Sequence, residues 1–214
     1  MVYISLFRPS KETVKQTLQD GQKLGFCYPH QGASKDFPPL PPSTTNYGYK
    51  VDHNRVKLGH GSAAYERAKK LVKKWEHFQL GWAQVDADTA IEEGSPVCVT
   101  AQVAFLWTRH PLQVVYVEDL EKGKGKGKQP RIVSPAGKSC NARYTFGHGC
   151  LKGHMLAGEE RFAVEWLEED DSVWYDVAAF SKPAGPLSTL SYPLVRLFQR
   201  HFAQCSVKAM KNSM

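Results

Sequence analysis

The sequence predicts an α+β fold of helix-grip type, in which a single strongly bent antiparallel sheet wraps around a long C-terminal helix. Three observations carry this expectation. Apolar residues recur at the helical period in the first half of the 214-residue chain and switch to alternation after Gly94. The strand-like runs of the second half follow one another through short turns, which implies antiparallel pairing. Finally, the chain closes on an amphipathic helix, and a bent sheet and such a helix can bury each other's apolar faces. There is no internal repeat, so residues 1–214 are expected to form one domain, with a flexible Lys/Gly-rich surface insert at about 122–141.

Residues Met1 to Pro9 alternate like a short strand, with too few apolar residues for the central region of a signal peptide. No window approaches the run of about 18 apolar residues that a membrane-spanning helix needs. Ser10 is a good N-cap for a short helix carrying Val14 and Leu18, with Gly21 and Gly25 to stop it. Residues 28–48 hold Pro29, Pro38, Pro39, Pro41 and Pro42 and predict a long loop, of the kind that is usually functional or mobile. Alternation resumes at Tyr47, Tyr49 and Val51 and runs through Val56 and Leu58 to Gly59-His60-Gly61. Ser62 then caps a helix over 62–78, where Tyr65, Ala68, Val72 and Trp75 form the apolar stripe and Arg67, Lys69, Lys70, Lys73 and Lys74 the opposite face.

Beyond Gly94, Val97, Val99, Ala101, Val103, Phe105 and Trp107 predict one long strand with an apolar face. Leu112–Val117, Arg143–His148, Glu159–Trp166 and Val173–Phe180 predict four more, the last two joined by the acidic turn Glu168–Ser172. Pro193 suits the first turn of the closing helix. That helix places Leu194, Leu197, Phe198, His201, Phe202 and Cys205 on one face, with Arg196, Arg200, Lys208 and Lys211 opposite or at its C-terminal end.

Composition excludes several classes. With 42% hydrophobic and 23% charged residues the chain is neither disordered nor collagen-like. The formal charge of +7 invites a nucleic-acid reading, but it is concentrated: Lys122, Lys124, Lys126, Lys128, Arg131 and Lys138 are six of the 28 basic residues, leaving 22 against 21 acids elsewhere. That stretch has no aromatic residue on which a base could stack, which argues against a nucleic-acid partner. An anionic membrane surface is the partner it would suit, through the Lys122–Lys138 loop.

Catalytic motifs fail on spacing. Gly137-Lys138-Ser139 ends like a phosphate-binding loop, but Ile132 stands where the first glycine is required. Gly147 and Gly149 begin a dinucleotide fingerprint, yet Lys152 occupies the third glycine position. Cys27, Cys98, Cys140, Cys150 and Cys205 contain no C-x-x-C pair, and His148 and His154 lack zinc-site spacing, so neither metal nor cofactor is expected. The adjacent acids Glu159 and Glu160 must point to opposite faces of a strand rather than converge.

A helix-grip sheet leaves room for a cavity between its concave face and the C-terminal helix. Trp82, Trp107, Tyr116, Trp166, Trp174, Tyr175 and Phe198 are available to line it. Arg109, His148 and Arg161 each end or interrupt an apolar alternation, and are the candidates for orienting a bound acidic group.

Three stretches are more distinctive: His53 to Gly61 followed by Tyr65, Lys74-Trp75-Glu76-His77-Phe78 with Trp82, and Gly153 to Phe162. With Val173-Trp174-Tyr175, Phe180 to Pro183 and Tyr192-Pro193, the chain resembles the family of bacteria and plants known as domain of unknown function nineteen-ninety. The resemblance rests on His60, Tyr65, Trp75, Gly153, His154, Gly158, Glu159, Glu160 and Phe162. It implies no catalytic residue. Plant members are described as plastid outer-envelope proteins with a proposed ion-channel activity, which makes an oligomeric pore one implication. The residues themselves favour a non-enzymatic protein whose apolar cavity takes a small lipid-like or amphipathic ligand, and with the resemblance this implies a protein peripheral to the plastid outer envelope or in the cytosol. A further alternative is an enzyme built on that cavity, with His148, His154 or Arg161 as acid–base or anion-binding groups.

Overall fold

Short turns between runs of alternating residues produce an eight-stranded antiparallel sheet, curled into a half-barrel. The computed structural model describes residues 2–36, 40, 41, 44, 47–123 and 131–214. Its strands are β1 (Tyr3–Ser5), β2 (Lys50–His60), β3 (Ala83–Gln84), β4 (Pro96–Val103), β5 (Leu106–Glu121), β6 (Cys140–Cys150), β7 (Leu156–Leu167) and β8 (Ser172–Pro183). They run in the order β2-β8-β7-β6-β5-β4-β3, with β1 added to the start of β5. Register shifts at Lys57/Gly59, Val114/Tyr116 and Cys140/Ala142 supply bulges, which bend strands and raise their twist.

Among the described residues the sheet is accompanied by helices α1 (Lys11–Leu24), α2 (Gly61–Lys73), α3 (Pro186–Leu190) and α4 (Tyr192–Ser213). The concave face buries Tyr144, Phe146, Phe162, Val164, Val173, Tyr175 and Val177 against Tyr65, Ala68 and Val72 of α2 and Met210 of α4. At one point the grip is polar, where the Tyr175 and Ser206 hydroxyls lie 2.8 Å apart. The convex face is covered too. α1, capped by the Ser10 side chain accepting from Thr13 N–H, is held there by Arg109, which donates to Thr17 Oγ1 at 3.1 Å. Beside it Tyr28 and Leu40 pack on Ala157, Ala178 and Phe180.

Four expectations need correction. The run 97–107 is not one strand but a hairpin, turning at Ala104-Phe105, with Ala104 at φ +54° and Val103 paired to Leu106. The turn reverses the inward parity, so Trp107 lies opposite Gln102 instead of continuing the face of Val97 and Ala101. The helix expected over 62–78 ends at Lys73: Trp75 adopts a left-handed backbone (φ +59°) and Glu76–Phe78 forms a separate 3-10 turn. Burying Trp75 completely against the core outweighs extending the helix, and its indole N–H donates to Thr89 O at 2.9 Å.

In the closing helix the buried seam is Ala203, Ser206 and Met210, whereas Leu194 and Leu197 are exposed. Lastly, the insert is structured at its C-terminal end. Ser134 and Lys138 close a turn, and Ile132 is buried with Cys140 and Leu167. Lys124, Lys126 and Lys128 lie outside the described residues.

Candidate functional site

Between the concave face and the first turns of α4 the core opens into a cavity of about 220 Å³. β4 and β5 contribute Val99, Ala101, Thr108 and His110; β7 and the turn before it contribute His154, Met155, Gly158 and Glu160. Trp82, Phe78, Val195, Phe198 and Phe202 close the helix side. The rings of Trp82 and Phe198 sit 6.1 Å apart, and the Trp82 indole N–H is buried with no partner among the described residues.

The polar end is built by strand register. His148 of β6 pairs with Glu160 of β7, so both side chains emerge on the concave face, with His148 Nε2 3.3 Å from Glu160 Oε2. His148 is only 2% exposed, and its Nδ1 has no partner among the described residues. His110 and His154 pack ring to ring at 4.9 Å, and His154 Nδ1 lies 2.9 Å from Leu156 N and 3.1 Å from Leu156 O. Burial lowers the pKa of His110 to about 4. Burial also holds His154 well below its ordinary value, helped by His110 and His148, and does the same to His77, which stacks on Trp75. Cys150, on the wall, is pushed well above the usual thiol range by burial and by its hydrogen bond with Cys27.

Of the ten side chains expected to form a ligand site, Trp82, His148 and Phe198 line this cavity, and Trp166 stacks on Tyr65 of α2 outside it. Tyr175 is on the same face but packs into the core against α4. The other five point outward. Trp107 stacks under Arg8, Arg109 clamps α1, Trp174 lies beneath Arg55, and the Tyr116 hydroxyl is 2.8 Å from Ser34 Oγ. Arg161 is buried on the convex side and donates to Asp176. The expectation that Arg109 and Arg161 orient a bound acid is therefore overturned: the hairpin shifts the parity of β5, and Arg161 shares its face with Glu159 rather than with Glu160. Of the three groups considered for acid–base or anion-binding chemistry, His148 and His154 share the cavity and Arg161 is excluded from it.

The convex network is the other product of the same alternation. Glu159 accepts from Tyr28 Oη at 2.6 Å, Gly32 N at 2.8 Å, Ser34 N at 2.9 Å and Ser34 Oγ at 2.5 Å. Further along, Arg55 donates to Glu165 at 2.5 Å, and Asp176 lies between Arg161 and His53. Burial raises Asp176 but is outweighed by the His53 hydrogen bond and the arginine charges, so its carboxyl sits below the ordinary range. This layer fastens loop to sheet.

The motif residues divide between these tasks. Tyr65, Trp75 and Phe162 are core, His60 precedes α2, and Gly153 lies under the Tyr3 ring, where any Cβ would collide. His154, Gly158 and Glu160 belong to the cavity, and Glu159 to the convex network. His110, His77 and the role of Glu160 were not legible as a site from sequence. Pairing the alternation of 142–148 with that of 160–166 would have set Glu160 opposite His148, whereas His110 needed the hairpin at Ala104.

The profile of a family described as Domain of unknown function (DUF1990) matches residues 27–209. A UPF0548 protein of Arabidopsis thaliana is 37% identical over 213 residues, covering 98% of this chain and 97% of its own. UPF0548 proteins of Dictyostelium discoideum (27% identical, 95% and 92% covered) and Deinococcus radiodurans (29%, 78% and 87%) are also similar. Among solved structures, a START superfamily protein from Mycobacterium smegmatis is 12% identical with a TM-score of 0.46, over 77% of this chain and 96% of that one. A hypothetical protein from Helicobacter pylori is 11% identical with a TM-score of 0.47, over 80% and 93%.

Proposed function

The chain belongs to the family described as Domain of unknown function (DUF1990), and on that membership and the cavity between sheet and α4 we propose that it is a non-catalytic binding protein for a small amphipathic molecule. The observation that carries this reading is the character of the cavity. Its walls are largely aliphatic and aromatic, and a few polar groups stand among them, the His148–Glu160 pair on the sheet and Asp52, Ser181 and Gln199 toward α4. Apolar walls with a few convergent polar groups are the usual form of a small-molecule site. At about 220 Å³ the space suits a ligand smaller than those filling drug-sized pockets.

Native mass spectrometry of protein purified from its own source tests the proposal. A retained small molecule, lost on denaturation, is the expected result. Protein that carries nothing, and that no amphiphile of matching size stabilises against heat, would overturn it.

A second reading, catalysis in the same cavity, draws on the His148–Glu160 pair, since a carboxylate beside an imidazole is how enzymes orient a base. Incubating small-molecule extracts with wild-type protein and with His148→Ala decides it: catalysis predicts a compound consumed beyond the molar amount of wild-type protein and untouched by the variant.

The pore and plastid-envelope implications of the family resemblance fare less well. A membrane barrel needs an outward apolar band, whereas the convex face carries Glu118, Arg143, Glu165, Asp176 and Arg161. No helix among the described residues is long and apolar enough to cross a membrane. Relatives in Dictyostelium and Deinococcus beside the one in Arabidopsis give no support to a plastid-specific role. Peripheral attachment keeps a direct test, release from isolated membranes by carbonate.

A further inference from the structure

Among the described residues the cavity lining contains no lysine and no arginine, and its carboxylates are Asp52, Glu159 and Glu160. Asp52 is already neutralised, because Arg196 grips both its oxygens, with Nη2 to Oδ1 at 2.7 Å. Glu159 borders the cavity through its backbone position only, its carboxylate being engaged on the convex face. Glu160 is left. It has no arginine or lysine partner among the described residues, its side chain is 23% exposed, and its contact is the His148 ring.

His148 Nε2 faces Glu160 Oε2, and Nδ1 of the same nearly fully buried ring has no partner among the described residues. The remaining imidazoles add no compensating positive charge, because burial keeps His110 and His154 neutral. A carboxylate facing an apolar space without a counter-ion is costly, and a ligand bearing a cation removes that cost.

We propose that the cavity selects amphiphiles whose polar end is a protonated amine, with Glu160 as its counter-ion and the aromatic walls of Phe78, Trp82 and Phe198 around its apolar tail. This rests on the binding reading above and names its ligand class. It also inverts what Arg109 and Arg161 had suggested: with those cations on the other face, a bound carboxylate would meet Glu160 unshielded.

The test uses three probes of one chain length, decylamine, decanol and decanoic acid, titrated calorimetrically into the full chain near neutral pH. Decylamine is expected to bind at least about tenfold more tightly than decanol, the scale of one charge-assisted hydrogen bond, and decanoate most weakly. Glu160→Gln should cancel the preference for the amine over decanol, with circular dichroism to show that the variant is folded. The ligand series on the wild-type chain is decisive without the variant. Decanol or decanoate binding as tightly as decylamine overturns the charge selectivity and leaves the binding reading standing. A chain that binds none of the three overturns both.

Discussion

Glu159 and Glu160 are neighbours with opposite fates, and the difference is the two-residue period of a strand. Glu159 is 2% exposed and accepts four hydrogen bonds from the segment 28–34, so it tethers that loop to the convex face. Replacing it by alanine strands the Tyr28 hydroxyl and the Gly32 and Ser34 amides as buried donors. At about 1–3 kcal/mol for each unsatisfied group, Glu159→Ala should cost about 3 kcal/mol or more in denaturant unfolding. A loss under about 1 kcal/mol would show that water replaces the carboxylate there. One residue earlier, Gly158 has φ +153°, and a Cβ on it would collide with the carbonyl oxygen of Phe180 on β8. Gly158→Ala should separate β7 from β8 beside the cavity, abolishing ligand binding and lowering the thermal midpoint. Wild-type binding by that variant would mean the strands part without disturbing the polar end.

Three desolvated imidazoles, each from a different element, govern how the fold responds to acid. His77 comes from the 3-10 turn, His110 from β5 and His154 from the turn before β7, and burial depresses the pKa of all three. Below its ordinary value of 6.5 each takes up a proton in the unfolded chain but not in the folded one, so stability must fall as the pH drops through that value, and for His110 it goes on falling to about 4. Each contributes a slope of about 1.4 kcal/mol per pH unit in that window. Denaturant unfolding from about pH 7.5 to about pH 5 should therefore show a steep loss, and His110→Gln should flatten it by one proton's worth. A stability independent of pH over that range would mean the rings are protonated in the fold.

These histidines also mark where the sequence stopped being legible. The helix-grip architecture, the strands of 140–183 and the cap at Ser10 follow from periodicity, because one face of each element is buried. The hairpin at Ala104-Phe105 does not: alternation runs unbroken through its two turn residues, and only pairing reveals that parity has reversed, which carried Trp107 and Arg109 to the wrong face. Nor could spacing show that Gly147 and Gly149 are small in order to admit the Tyr116 and Tyr28 rings, a reason unrelated to nucleotide binding.

Across the whole molecule the formal charge of +7 is less free than the sequence suggested. Lys122 pairs with Glu168 at 2.6 Å and Lys138 reaches Glu169 at 3.5 Å, so both flanks of the basic insert lean on the acidic β7–β8 turn. On α2, Lys69 and Lys73 share Asp119. The buried Ile132 means that removing residues 122–138 would unpack the Cys140–Leu167 cluster along with the lysines, so adsorption has to be tested by charge removal instead. If the peripheral reading holds, Lys124, Lys126 and Lys128, which lie outside the described residues, are the charges to remove. Their joint replacement by serine should weaken binding to phosphatidylcholine–phosphatidylserine vesicles about hundredfold at low salt, near 1 kcal/mol for each lysine. High salt should release the wild type as well, since exposed charges are screened beyond about 3 Å at molar ionic strength. Unchanged adsorption of the triple variant, lost instead on replacing Lys70 and Lys74, would move the contact to the exposed face of α2 and leave the insert without a part in it.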